Sequence, residues 1–282
     1  MFDRTFYASS AMMQYRNAVD GVHDLTSADP VMAQAFSYAA ATQRYTLRVA
    51  SNPLFSDLDE SISFGPENVL ANRSNAHTIV YKRSCSDGLQ PKEGAFQAEL
   101  ELFRPGADND LLALDYASFG MYTVNFSQPR SYDLYDRRLF AYGVRTAVSD
   151  LPRTGVSTYT GIVSGFATRN DSVYPRKYSI SGRIQISVDF VAQTFTGTLT
   201  LKATSGESAP YDIIIPLTQT GGASLTQLSG AAGQGRFAGF LAGPAAQELG
   251  GSFSLQIPDP AGPDYAGIIN PVTLVGAAAA KR

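Results

Sequence analysis

The segment 178–190, YSISGRIQISVDF, keeps one two-residue period for thirteen positions. Tyr178, Ile180, Ile184, Ile186, Val188 and Phe190 form its apolar row. Ser179, Ser181, Arg183, Gln185, Ser187 and Asp189 fill the alternate places, and Gly182 is the one gap on the apolar side. Successive side chains of a strand point to opposite faces, so this pattern specifies a strand with one dry and one wet face and does not fit a helix.

The period recurs downstream. Phe195, Leu199, Leu201 and Ala203 alternate with Thr194, Thr196, Thr198, Thr200 and Lys202, and then Tyr211, Ile213, Ile215 and Leu217 alternate with Asp212, Ile214 and Pro216. Segments at 156–167, 178–190, 194–204, 211–219, 223–231, 235–242, 249–257 and 266–274 make eight strands. Each strand with its loop uses about 15 residues. Eight antiparallel strands can close on themselves, which removes exposed edges and leaves an interior just wide enough for side chains to fill. Pro216 cannot donate to a ladder, so it calls for a bulge or a barrel rim. An outer-membrane barrel would turn the same aliphatic rows toward lipid, but short loops at both ends and the absence of tryptophan for interfacial girdles argue for a filled, water-facing barrel.

The first half is less regular. Alternating stretches at 45–49, 77–82 and 96–102, punctuated by Pro53, Gly65-Pro66, Asp87-Gly88 and Pro105-Gly106, predict an antiparallel β domain with small helical additions. Residues 10–19, closed by Gly21, read as a short helix, with His23 in a polar loop beyond it. His77 reads as the start of a strand shared with Ile79 and Tyr81. The polar stretch 149–155, bounded by Pro152 and Gly155, places a boundary between domains at 1–150 and 151–282. The fold class is therefore mainly β: a leading strand-rich domain and an eight-stranded closed barrel.

Composition excludes several functions. A net charge of −3, a pI near 5.4 and no basic stripe argue against nucleic acid as a partner. The single cysteine, Cys85, permits no internal disulfide or cysteine zinc cage, and two histidines leave few metal ligands. No signal peptide, lipoprotein cysteine or apolar run of membrane-spanning length is visible, so any lipid anchor lies outside this chain. Gly233-Gln-Gly235-Arg-Phe-Ala238 spells a dinucleotide fingerprint, but a strand follows where that motif needs a helix, so it reads as a turn. No serine lies in a G-x-S-x-G elbow. Glu248 with Asp189 or Asp212 has no spacing that demands acid–base work; Glu248 is expected to hold backbone donors at its own Gly-Pro turn. No catalytic residue and no metal site is predicted.

The stretch 235–255, GRFAGFLAGPAAQELGGSFSL, carries a strand into Gly243-Pro244, a short helical turn at 245–248, and a new strand after Gly250-Gly251. GPAAQELGGSF resembles the signature of the transferrin-binding protein B family of bacterial surface proteins, whose barrels place a Gly-Pro-x-Ala-x-Glu-Leu-Gly-Gly turn before an aromatic strand. The residues carrying it are Gly243, Pro244, Glu248, Leu249, Gly250 and Gly251. TYTGIVSGFA at 158–167, ISVDFVAQTFTGTL at 186–199 and VGAAAAKR at 275–282 follow the order of that family's barrel, and LDESISFGPENV and DYASFGMYTV are similar to its leading domain.

The resemblance implies a monomeric, non-enzymatic binding protein, on the bacterial outer surface or secreted, that takes a host protein or an iron-related nutrient. One barrel and one leading domain are about half of the two-lobed family architecture, so transferrin itself is not the expected ligand. Haem is the alternative, since some relatives look like haem carriers whose leading-domain histidines and aromatics hold the iron; His23 and His77, with Tyr81, Tyr116 and Tyr122, would supply such a site. Read from composition alone, the tyrosine-rich window with Arg130, Tyr132, Tyr135, Arg137 and Arg138 joins the two residue types that dominate binding hot spots. The same aromatics would equally serve as a small β core.

Overall fold

The computed structural model describes residues 3–18, 21–32, 36–49, 60–85, 96–127, 132–169, 177–204, 211–219, 225, 227–258 and 271–282. The second half is a closed antiparallel barrel of eight strands in sequence order. They are β10 (Val156–Arg169), β11 (Lys177–Asp189), β12 (Thr194–Thr204), β13 (Tyr211–Gln219), β14 (Leu228–Ala232), β15 (Gln234–Ala242), β16 (Glu248–Pro258) and β17 (Pro271–Lys281). β17 closes on β10, pairing Thr160 with Lys281 through Arg169 with Val272.

The apolar rows point inward. Tyr159, Tyr178, Ile184, Ile186, Val188, Phe195, Leu199, Leu201, Phe237 and Phe253 form one buried cluster inside the barrel, while Ser179, Ser181, Arg183 and Gln185 are exposed outside. Aliphatic side chains turned toward lipid are thereby ruled out for this face. β14 begins at Leu228, later than the 223–231 segment predicted, and β17 runs to Lys281 rather than ending at 274. Because β14 ends at Ala232, its antiparallel ladder with β13 starts only at Leu217, which pairs with that residue. Pro216 stands one residue outside that ladder, where no neighbouring strand needs its missing N–H, so the strand edge accommodates it without a bulge.

The first half is a nine-stranded antiparallel sheet among the described residues, built from β1 (Arg4–Ala18), β2 (Gly21–Met32), β3 (Phe36–Ala39), β4 (Arg44–Val49), β5 (Glu60–Phe64), β6 (Thr78–Cys85), β7 (Phe96–Phe103), β8 (Ala117–Ser127) and β9 (Tyr132–Gly143). The order is β5-β4-β3-β1-β9-β8-β7-β6, with β2 also on β1. Of the helix expected at 10–19, residues 10–18 are thus strand, and residue 19 lies outside the described residues. β1 lies in the middle of the sheet, pairing along its length with β9 and sharing its other edge between β2 and β3. Helix-favouring residues such as Ala11, Met12 and Met13 yield because both faces of this strand are covered: Ala8 packs inside the curled sheet, and Ala11 and Met13 pack toward the barrel. His23 accordingly lies in β2, opposite Arg16, not in a loop, and His77 stands one residue before β6.

The sheet curls so that Phe36, Leu47, Ile62 and Phe64 from one flank meet Tyr81, Leu100, Tyr122 and Phe140 from the other. Its convex face carries Phe103, Leu114, Ala117, Phe119, Leu139 and Ala141 against Phe166, Phe240, Ala242, Val275, Ala277 and Ala279 on the outside of the barrel. This contact explains the near-continuous apolar run of β17, which is buried from Val272 to Ala280: alternate residues fill the barrel and the others face the sheet. Polar pins cross the same interface, with Ser9 Oγ 2.9 Å from the carbonyl oxygen of Ala238 and 2.6 Å from Ser252 Oγ.

Candidate binding cleft at the sheet–barrel junction

The Gly-Pro signature lies at that junction. The chain leaves β15 at Ala242 and turns through 243–246, with Gly243 at φ +80° and Ala245 and Ala246 at +56° and +57°; it is a left-handed turn and not a helical one. β16 then starts directly at Glu248. The Glu248 side chain is buried and does hold backbone donors, but those of the leading half rather than of its own turn. Its Oε1 accepts the N–H of Asp115 at 2.7 Å, and its Oε2 accepts those of Tyr116 at 2.8 Å and Ala117 at 2.7 Å. Three N–H groups converging on one carboxylate satisfy donors at the start of β8 that would otherwise be stranded.

Further bonds lace the corner. Gly243 N–H donates to the Val144 carbonyl at 2.9 Å, Thr146 N–H to that of Leu241 at 2.8 Å, and Thr146 Oγ1 to that of Gly243 at 2.7 Å. Tyr159, inside the barrel, donates its hydroxyl to the Ala246 carbonyl at 2.6 Å, and burial pushes its phenol up to about 12. A Cβ on Gly243 would stand 2.5 Å from the Tyr116 ring, so the absence of a side chain there lets that ring lie flat on the turn.

In front of this corner opens a cleft of about 490 Å³. Phe6, Tyr38, Tyr45, Tyr116 and Tyr142 are its aromatic residues; Arg4 and Arg145 bring positive charge, Asp115 and Asp150 negative, and Gly243-Pro244 forms the barrel's side. The rings brace one another, Tyr38 with Tyr45 at 4.8 Å between centroids and Phe6 with Tyr142 edge-on at 5.2 Å. Burial, reinforced by Tyr38, raises the Tyr45 phenol, and burial raises that of Tyr142 further, so both remain hydrogen-bond donors at neutral pH. The Arg145 guanidinium lies 4.6 Å from the centre of the Tyr7 ring.

Of the residues singled out from sequence as ligand-binding, Tyr116 lines this cleft, beside the signature residues Gly243 and Pro244. Tyr81 and Tyr122 are buried in the core of the curled sheet, where burial and Tyr45 raise the Tyr81 phenol. His77 is half-buried, with Nδ1 3.1 Å from Asn109 Oδ1 and 3.3 Å from Asp110 Oδ1, and it borders a recess of about 190 Å³ with Glu101, whose carboxyl is raised by burial. Arg137 lies 4.0 Å from the centre of the Phe166 ring, linking sheet to barrel. Tyr132 and Tyr135 belong to β9, opposite Ala18 and Tyr15; Arg130 lies outside the described residues. Among the described side chains, Tyr116, His77, Arg137 and the Tyr81–Tyr122 pair therefore lie in separate places. Arg4, Phe6, Tyr38, Tyr45 and Arg145 were missed because they meet only through β1–β3 pairing and the turn after β9.

Asp189 accepts the N–H groups of Val191 and Ala192, both at 2.9 Å, and is a turn residue far along the chain from Glu248. Among the described residues no three His, Cys, Asp or Glu side chains gather where they could hold a metal, and no helix is long and apolar enough to cross a membrane. Among the described residues no acid–base pair and no activated nucleophile takes shape around Glu248, whose two oxygens accept from backbone donors.

The family model described as the C-lobe and N-lobe beta barrels of Tf-binding protein B matches residues 151–282. The matched span is the eight-stranded barrel of the second half. The matched span contains the whole Gly243–Gly251 signature with its Glu248 latch. Among solved structures, isotype 1 transferrin binding protein B from serogroup B Neisseria meningitidis is similar at 18% identity, over 96% of this chain and 44% of that one, with a TM-score of 0.45. A transferrin binding protein B variant from Haemophilus parasuis is similar at 13% identity, over 97% and 76%, with a TM-score of 0.39. The chain thus spans less than half the length of the Neisseria protein. No curated protein matches it significantly.

Proposed function

We propose that the protein is a non-enzymatic binding protein, displayed on a bacterial outer surface or secreted, that captures a host protein or an iron-related nutrient. The observation that carries this reading is the match of residues 151–282 to the barrels of a protein named for binding Tf. The arrangement of the site supports it: the described residues plug the barrel with their own side chains, so recognition falls to outer surfaces and to the junction with the sheet. The Glu248 latch gives that junction a fixed geometry, as preorganised recognition requires.

The test is direct. The purified chain is immobilised and exposed to iron-loaded and iron-free transferrin and to serum proteins, and separately titrated with haemin while the Soret band is followed. Saturable capture of a host protein, or a saturable Soret shift, is the expected result. A chain of verified fold that retains none of these removes the host-protein and iron-nutrient reading.

A further inference from the structure

We infer that the cleft between sheet and barrel is a binding site for a small planar aromatic molecule carrying a single carboxylate. The inference rests on the reading of the chain as a binding protein and names a ligand chemistry for it. At about 490 Å³ the cleft falls within the range of small-molecule sites, roughly 300–1,000 Å³. Its walls are rings already held in place by other rings, so a flat ligand would stack without ordering loose side chains. Tyr45 packs against Phe36 at 5.5 Å, nearly parallel, and Tyr116 is fixed from behind by Gly243 and along its backbone by Glu248.

The polar groups select one charge. Among the described residues the phenol hydroxyls of Tyr38 and Tyr45 have no protein acceptor, and the exposed Arg4 has no ion-pair partner. All three are donors, and a donor set calls for a ligand rich in acceptors. Asp115 and Asp150 balance Arg4 and Arg145 along the lining, so a polyanion such as a nucleotide triphosphate gains no net attraction. Arg104, outside the cleft lining, acts with its positive charge on the phenols of Tyr45 and Tyr81, and its buried Nε has no acceptor among the described residues. The local balance therefore tips toward one anionic group beside the arginines and tyrosines, with the aromatic body against Phe6, Tyr116 and Tyr142.

The probe is 2-naphthoate, titrated calorimetrically into the full chain, with uncharged 2-naphthamide as its control. Saturable one-to-one binding of naphthoate, with the amide weaker by about 10-fold, is the expected result. Arg4→Ala, at an exposed position, and Tyr45→Phe, which keeps the ring, should each weaken naphthoate by about 3- to 10-fold while melting temperature and far-ultraviolet spectrum stay unchanged. No saturable binding, equal affinity for the amide, or indifference to both substitutions overturns the inference. A chain that captures transferrin or haemin yet ignores naphthoate overturns this site alone; naphthoate binding without either capture leaves the site standing and removes the host-ligand reading.

Discussion

Glu248, at the first residue of a barrel strand, accepts the backbone N–H of Tyr116, 132 positions earlier and at the edge of the leading sheet. With the neighbouring donors of Asp115 and Ala117, this carboxylate ties the leading half to the barrel at three successive residues. Glu248→Ala leaves three backbone donors unmet, that of Ala117 buried and those of Asp115 and Tyr116 partly so, and should lower unfolding free energy by about 2–4 kcal/mol, with Glu248→Gln, which retains one acceptor oxygen, losing less. Urea denaturation measures the loss, and hydrogen exchange at residues 115–117 should accelerate. A change below about 0.5 kcal/mol would show that the latch contributes nothing.

Gly243 combines a positive φ with a ring pressed against its Cα. Gly243→Ala must strain the turn and displace Tyr116, at an expected cost of about 1–3 kcal/mol. Thermal melting gives the magnitude. A wild-type melting temperature in the variant would contradict the packing described.

Tyr159, like Tyr45, Tyr81 and Tyr142, contributes to an alkaline pH dependence. Its phenol is raised from the ordinary value near 10 to about 12 by burial, so above pH 10 the unfolded chain releases this proton before the folded chain does. The stabilisation is complete below about pH 10 and declines as pH rises toward 12. Urea midpoints should therefore fall across that window in wild type, and less in Tyr159→Phe, which at neutral pH forfeits the bond to Ala246, about 1 kcal/mol. Identical alkaline slopes for the two proteins would exclude Tyr159 as a source.

Phe240 points outward from the barrel, is fully buried by the sheet and meets Tyr7 edge-on at 5.4 Å. Phe240→Ala should destabilise by about 3–5 kcal/mol through the cavity it leaves. Arg183→Ala, on the exposed face of β11, should stay within about 0.5 kcal/mol. Parallel denaturation curves compare the two; equal effects would contradict the assignment of faces.

The barrel was legible because β11, β12 and β13 each have one wet face, which leaves the two-residue period intact in the sequence. β17 lost that period because the sheet covers its outer side, and alanines that look featureless in sequence are what close approach of two sheets requires. β1 was misread for the same reason: a strand buried on both sides, with small residues at its centre, shows no alternation to oppose the helix propensity of Ala11 and Met12. The role of Glu248 in holding donors could be anticipated from its turn, but not that those donors come from residues 115–117, since nothing local specifies a partner so distant. The cleft was legible in part, at Tyr116 and at the Gly243-Pro244 signature, because Arg4, Phe6, Tyr38 and Tyr45 reach it by strand pairing rather than as neighbours in the chain.

The alanine-lined flank of the last strand also governs how the molecule can be divided. Cut from the sheet, the cylinder would carry Phe240, Val275, Ala277 and Ala279 bare on its wall, a greasy stripe that invites self-association. Either half would need that stripe recoated with polar side chains before it could live alone.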